Sequence, residues 1–335
     1  MSPQEKMNPD NDTSLPPKTR AGFAAVIGAP NAGKSTLTNA LVGEKVSIVT
    51  HKVQTTRFQV RGIAMLPLEN GTEAQVVLVD TPGIFSPKET DRLAKSMVHA
   101  AWTGVNESEA IVHVVDAPAH HRQKGGEGTA QDRLSVDDTQ RVCAGLKKRE
   151  RGKVYLALNK IDEIPHDLLL AQIAEFGALG IYEEIFVISA LNMDGVDKLA
   201  ATLAEAMPES PYLYPSDQAA DIPSRLMAAE ITREKIFLRL HDELPYASTV
   251  ETEKWKRQKN GDIRIDQVIY VRRDSQKPIV LGKGGKTIKD IGAAARRDMQ
   301  DWLGCKVHLF LFVKVRDNWQ NDKARYAESG LEFDV

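Results

Sequence analysis

Short apolar runs alternate with amphipathic stretches along the first two-thirds of the chain. Gly22–Ile27 (GFAAVI), Gln75–Val79 (QVVLV), Ala110–Val115 (AIVHVV), Val154–Leu158 (VYLAL) and Glu184–Ile188 (EIFVI) have the length and β-branched content of buried strands. Ser35–Leu41, Thr90–Val105, Val136–Lys148 and Leu168–Leu179 read as helices. Strands that alternate with helices predict an α/β fold, with a mostly parallel, doubly wound sheet covered on both faces. Phe58–Met65 is the candidate for an antiparallel edge strand. Two polar stretches read as loops: the short Leu66–Ala74, and Ala119–Asp137 (AHHRQKGGEGTAQDRLSVD), a glycine-rich insertion whose His120-His121 pair could bind metal but reads rather as solvated loop, because no carboxylate or Cys partners it at ligand spacing.

The pattern changes after Met207. Pro208, Pro211, Pro215 and Pro223 fall within 17 residues, and proline resists helix and strand interiors, so 207–223 reads as a linker. Beyond it, Ser224–Leu240 is helical, with Ser224 as a candidate cap. Ser248–Lys256 and Ile263–Val271 alternate like strands around the turn Asn260-Gly261. Ile279–Leu281 follows as a short apolar strand before a glycine loop. The helix Thr287–Leu303 and the strand Lys306–Val315 complete an α-β-β-α-β order, in which the second helix is a candidate for a break. The predicted organisation is a disordered leader (1–20), an α/β domain (21–206), the linker (207–223), an α+β domain (224–317) and a tail (318–335).

Composition narrows the class. At 335 residues, with 42% hydrophobic and 27% charged residues, the chain is an ordinary globular protein of two domains. Cys143 and Cys305 are too few for a disulfide framework, which fits a reducing cytoplasm. The leader MSPQEKMNPDNDTSLPPKTR lacks the apolar core of a signal peptide, and no apolar run is long enough to span a bilayer. The formal charge is −7 over residues 1–221 and +5 over 222–335, so the second part is the one suited to a polyanion.

The chemistry is carried by strings at the ends of the predicted strands. Gly28-Ala29-Pro30-Asn31-Ala32-Gly33-Lys34-Ser35 matches the phosphate-loop pattern in full, with Thr36 next in the following helix. Glycines let successive N–H groups turn inward on phosphates, and the helix N-terminus adds positive potential. Lys34 is placed to reach the β- and γ-phosphates, and Ser35 to offer a hydroxyl to Mg²⁺. Asp80-Thr81-Pro82-Gly83 offers a carboxylate for Mg²⁺ and, at Gly83, an amide for the γ-phosphate. Asn159-Lys160-Ile161-Asp162 offers a buried carboxylate at Asp162 to the N1–H and 2-amino group of guanine, which adenine cannot match. Ser189-Ala190-Leu191 is placed to buttress the base. Gln54-Thr55-Thr56-Arg57 supplies a threonine to complete the Mg²⁺ shell, Thr56 in preference to Thr55. The second part holds one more string. Gly282-Lys283-Gly284-Gly285 with Lys286 and Lys289 forms a Gly-x-x-Gly loop of the kind that clamps single-stranded RNA in KH domains. A plain glycine turn or a second phosphate loop is the alternative, though the longer glycine spacing of the latter is missing.

These strings resemble the Era family of GTPases. Gln-Thr-Thr-Arg, Asp-Thr-Pro-Gly, Glu230-Ile231-Thr232-Arg233-Glu234-Lys235-Ile236-Phe237 and Leu244-Pro245-Tyr246 carry the likeness, which covers about residues 21–317. The leader, 119–137 and the acidic tail depart from it. The resemblance implies a P-loop GTPase domain followed by a type II KH domain. It also implies GTP, GDP and Mg²⁺ as cofactors, and small-subunit rRNA near its 3′ end as the ligand. The implied role lies in 30S assembly, for a monomer that is cytoplasmic or peripheral on the inner membrane. Ile84 stands where many GTPases carry a water-orienting Gln, as it does in this family, so slow intrinsic hydrolysis is expected. Two other readings stay open on the residues: a small-molecule kinase, opposed by Asn159–Asp162, and a structural RNA binder, opposed by the intact Lys34, Ser35, Asp80 and Asp162.

Overall fold

The computed structural model describes residues 19–335 apart from 51, 53, 54, 58, 88, 90, 150, 151, 318, 320, 321, 324, 325 and 327–330. The leader assigned to 1–20 therefore falls almost wholly outside the described residues, and Arg20 already opens the first strand.

The α/β part runs β1 (Arg20–Gly28), α1 (Lys34–Val42), β2 (Val60–Pro67), β3 (Glu73–Asp80), α2 (Arg92–Asn106), β4 (Ala110–Asp116), α3 (Ala117–Lys124), α4 (Ala130–Leu146), β5 (Lys153–Asn159), α5 (Leu169–Gly177), β6 (Glu184–Ile188) and α6 (Val196–Ala206). With β7 (Ala220–Asp221) these strands form one sheet in the order β6-β5-β4-β1-β3-β2-β7. Every pair from β6 through β3 is parallel, and β2 runs antiparallel to both of its neighbours. Because both faces are covered, the strands are apolar throughout rather than alternating. Val26, Leu78, Val112, Leu37 and Leu203 fill one side, and Ile27, Ile111, Val142 and Leu156 the other. Each such fully buried side chain contributes roughly 1.5–3 kcal/mol over its exposed state.

The second part runs α7 (Ser224–Arg239), β8 (Ser248–Arg257), β9 (Ile263–Val271), α8 (Lys277–Leu281), α9 (Lys286–Leu303) and β10 (Val307–Val315). Its sheet has the order β10-β9-β8, with β9 antiparallel to β8 and parallel to β10. Ile269, Val271, Val280, Ile291 and Val313 are buried together in its core. Among the described residues no helix is long and apolar enough to cross a membrane.

Four expectations are corrected. The stretch 119–137 is not a solvated loop. Asp116 caps α3 by accepting from Ala119 N at 2.9 Å, and a Thr129–Asp132 capping box starts α4, so only the segment around Gly125-Gly126 is irregular. His120 is consequently buried, tilted against Phe176 and 3.7 Å from the Glu175 carboxylate. Second, β2 is not the sheet edge, because the linker lays β7 beside it. Third, Ile279–Leu281 is helical, as part of α8. A three-residue apolar run has no period by which to tell helix from strand, and Pro278 suits a first helical turn. Fourth, Ser224 is the first helical residue and makes no capping bond, because Pro223 holds the extended entry just before it. The tail also packs: Tyr326 and Leu331 are buried against Met97 and Ala100 of α2.

His113 sits in the middle of β4, fully buried, with Nδ1 2.8 Å from the Tyr182 hydroxyl. Burial pulls its pKa down from the ordinary value to about 3, with a smaller push from Lys34. A histidine depressed in the folded state costs stability as pH falls below its unfolded pKa of roughly 6.5, and the loss continues until the folded pKa is passed. The expected slope over that window approaches about 1.4 kcal/mol per pH unit for this one group. Urea unfolding between pH 7 and pH 5 should therefore show a smaller loss for His113→Asn than for the parent chain. Equal pH slopes would rule the effect out.

Candidate nucleotide-binding site

The strings converge where the topology requires, at the carboxyl ends of the parallel strands. Residues 28–35 follow β1, Asp80–Gly83 ends β3, Asn159–Asp162 ends β5 and Ser189–Leu191 follows β6. The loop after β1 is wound tightly. Gly28 has φ 149, Asn31 φ 65 and Gly33 φ 101. A Cβ at Gly28 would lie 2.2 Å from Val114 O, and one at Gly33 would lie 2.1 Å from Asn159 Nδ2, so neither position admits a side chain. α1 begins at Lys34 directly after Gly33, with Ser35 and Thr36 in its first turn. Lys34 is 6% exposed and folds back on the loop, donating to Ala29 O at 2.8 Å and Gly28 O at 3.2 Å. Burial pulls its pKa down to about 8 against the raising influence of Asp80.

Asp80 is fully buried and holds a cluster of hydroxyls. Its Oδ2 accepts from Ser35 at 2.8 Å and from Ser47 at 2.7 Å, and Ser35 Oγ lies 3.0 Å from Thr56 Oγ1. Asp80 Oδ1 has no hydrogen-bond partner. Burial raises the pKa of Asp80 against the pull of Ser47, Ser35 and Lys34. Two hydroxyls and a carboxylate with a spare oxygen are the hard donor set of a Mg²⁺ site. Thr56 belongs to this cluster. Thr55 instead turns into its own loop, donating to Lys52 O at 2.8 Å. Gly83 lies against Pro30, where a Cβ would come within 2.9 Å of the ring. Ile84 is 2% exposed and faces the core beside Ile27, with its N–H bonded to Gly28 O at 3.1 Å, so no side chain at 84 enters the site.

Asn159 ties the loops together. Nδ2 donates to Ala32 O at 2.8 Å, and Oδ1 accepts from Ala190 N at 3.0 Å. Lys160 adopts φ 67 and forms an ion pair with Asp116 at the end of β4. Asp162 lies in a single 3-10 turn and is exposed, so the expectation of a buried carboxylate is corrected: one turn at the mouth of the cleft gives it no protein cover. Ser189 and Ala190 are buried, the serine accepting from Asn192 N at 3.1 Å, while Leu191 is 74% exposed. Sequence reasoning missed Ser47, which is remote from Asp80 along the chain. It also missed Asp116, although an acid closing an apolar strand was the signal used for Asp80.

The Gly-x-x-Gly loop lies between α8 and α9. Gly282, Gly284 and Gly285 take φ 74, 61 and 76. Gly284, Lys283, Lys286 and Lys289 are exposed. The two parts of the chain also meet at residues 45–57. Lys45 and the Val49 amide both bond Glu234, Arg233 donates to Thr55 O, and Arg57 donates to Ser248 O at 3.0 Å and Tyr246 O at 3.2 Å.

Comparison with known proteins agrees with this geometry. Residues 23–160 match the family model described as "50S ribosome-binding GTPase", and residues 243–320 match the KH domain model. GTPase Era of Maricaulis maris is 57% identical over 94% of this chain and 98% of its own length. The chain belongs to the Era family of GTPases. Among solved structures, Era from Aquifex aeolicus bound to GDP and AlF4⁻ is 35% identical with a TM-score of 0.79, over 93% of this chain and 99% of its own. An Era structure in complex with MgGDPNP and nucleotides 1506–1542 of 16S ribosomal RNA is 35% identical with a TM-score of 0.80, over the same shares. The α/β part is thus a P-loop GTPase domain and the second part a KH domain.

Proposed function

We propose that the chain binds and hydrolyses GTP and presents a KH domain to small-subunit rRNA near its 3′ end during 30S assembly. The observation that carries the reading is the convergence of Ser35, Thr56 and Asp80 beside the buried Lys34 in the first domain, together with an exposed, lysine-flanked Gly-x-x-Gly loop in the second. The amides from Asn31 to Thr36 would cradle the phosphates, and Lys34 would exchange its two carbonyl partners for phosphate oxygens. Ser35, Thr56 and Asp80 would hold Mg²⁺, which would neutralise charge on the β- and γ-phosphates. The Gly83 amide would meet the γ-phosphate. Asp162 would read guanine, while Asn159 and Lys160 brace the loop that carries it, and Ser189, Ala190 and Leu191 flank the base. Gly282–Gly285, Lys283, Lys286 and Lys289 would clamp the RNA backbone.

With no side chain at 84 to orient water, backbone groups and partners must supply the remainder, so isolated turnover is slow. Single-turnover hydrolysis is expected well below ~1 s⁻¹, and Lys34→Ala should abolish it together with GTP affinity. A rate above that bound, or an unaffected Lys34→Ala protein, would overturn the assignment. GTP would order residues 46–57, and the contacts of Thr55 and Arg57 with the KH part would carry that state to the RNA site. Peripheral membrane association and a monomeric state belong to the same reading. Flotation with anionic vesicles and sedimentation velocity test them.

A further inference from the structure

The sheet of the KH domain has one face packed on α7 and α9, and a second face on which Asp266 and Val268 of the central strand are buried while side chains of the outer strands are exposed. Side chains alternate along β10, so Val307 and Val313 point into the core while His308, Phe310, Phe312 and Lys314 point away from it. Phe310 is 44% exposed and Phe312 51% exposed. On one strand face they stand about 7 Å apart. The register places Phe310 opposite Asp266 and Phe312 opposite Val268, with His308 beside Arg264 and Lys314 beside Tyr270. Arg264 lies over the Phe310 ring at 4.6 Å.

The charges on this face are arranged around the rings. Its carboxylates are Glu251, Glu253, Asp266 and, at the His308 end, Asp262, which lies 2.8 Å from His308 Nε2. Asp266 is held by Arg264 at 2.9 Å and Glu253 by Lys314 at 2.9 Å. Lys254 and Lys256 add two exposed ammonium groups on β8, across β9 from Phe310, because Lys254 is opposite Asp266 and Lys256 opposite Arg264. At the Phe310 end Arg264, Lys254 and Lys256 stand against Asp266 and Asp262, so the cations outnumber the carboxylates by one. A protein-docking face would put a wider apolar core inside a polar rim. Here two isolated rings are interleaved with cations, and two exposed rings on a sheet are the platform on which single-stranded bases stack.

We propose that this second face is an RNA surface, on which two unpaired bases stack against Phe310 and Phe312 while Lys254, Lys256 and Lys314 meet the flanking phosphates. The inference rests on RNA as the ligand of the Gly282–Gly285 loop and adds a second site on the sheet's other face. A strand clamped at the loop would continue round the edge of β10, so only RNA longer than the clamp gains from it.

The full chain tests this with single-stranded RNA from the 3′ end of small-subunit rRNA, in lengths of about six and about twelve nucleotides, the clamp itself covering about four. The double variant Phe310→Ser, Phe312→Ser should bind the longer RNA more weakly by on the order of tenfold or more. Affinity for the shorter RNA and for GTP should stay within about twofold of the parent on the same scale. Phe312→Trp should retain the affinity, and its fluorescence should be quenched by the longer RNA. Unchanged binding of the longer RNA by the double variant would overturn the proposal. So would a double variant that keeps its RNA affinity and instead loses a protein of the 30S subunit, because the face would then dock protein. Lys286→Glu is the separate control. If it leaves both RNAs bound as before, the loop reading fails, whatever the double variant shows.

Discussion

Asp162→Asn is expected to shift the base preference from guanine to xanthine. The carboxylate presents two acceptors, which suit the N1–H and 2-amino donors of guanine. An amide presents one acceptor and one donor, which suit the N1–H and the C2 carbonyl of xanthine. The amide keeps one acceptor and loses one charge-assisted bond, worth about 1.5–3 kcal/mol, so GTP affinity should fall by roughly one to two orders of magnitude. XTP should gain affinity over the same range. The fold should be unaffected, because Asp162 is exposed on a single turn held between β5 and the rest of the domain. Titration with fluorescent GTP and XTP reads both changes, and Asp162→Ala, which offers neither partner, should lose GTP without gaining XTP. A variant that still preferred GTP would show that another group reads the base.

The nucleotide site was legible because its devices are local. Gly28, Gly33, Lys34 and Ser35 act through one turn of backbone, so their spacing is the mechanism. Asp80, Asn159 and Ser189 could be placed because each closes an apolar strand, and parallel strands end on one side. What was hidden is what the fold brings together from afar. Ser47 meets Asp80 only because Asn39 accepts from the Val46 and Ser47 amides and so bends the chain after α1 back under it. Arg233 reaches Thr55 across the boundary between the two parts, a contact that no local pattern records.

The elements that the structure corrects have separate physical causes. Polar composition reads as loop at 119–137, yet helix initiation there depends on two side chains, Asp116 and Thr129, and not on apolar period. The signal was present as a Thr-x-x-Asp capping pattern. Asp162 reads as a buried carboxylate in the sequence, since leaving it unpaired is what rejects adenine. In the structure the protein leaves it at the surface, so a bound base must supply the desolvation itself.

Arg57→Ala is expected to uncouple RNA affinity from the nucleotide. Arg57 follows the threonine that joins the Asp80 cluster, and its guanidinium spans into the second part of the chain. It donates to the carbonyls of Ser248, Tyr246 and Pro245 and stacks near the rings of Phe237 and Trp319, at 5.9 and 5.3 Å. Arg233 grips the same stretch from the other side, at Thr55 O, and is itself held by Glu230. Whatever fixes Thr56 on the nucleotide therefore fixes two anchors of the KH domain. Coupling of this kind is reciprocal: if GTP tightens RNA by some factor, RNA tightens GTP by the same factor. Alanine removes the stacking and leaves three carbonyls short of a donor, a loss on the order of 2–4 kcal/mol at a half-buried site. The ratio of RNA affinities in the GTP-analogue and GDP states should fall towards one, while affinity for GTP in the absence of RNA changes little. Arg57→Lys keeps the charge but cannot reach three carbonyls or lie flat between two rings, so it should restore only part of the ratio. A full ratio in Arg57→Ala would place the coupling on another contact between the same two surfaces, such as the Lys45–Glu234 pair, the Val49 amide bond to Glu234 or the Arg233 bond to Thr55 O.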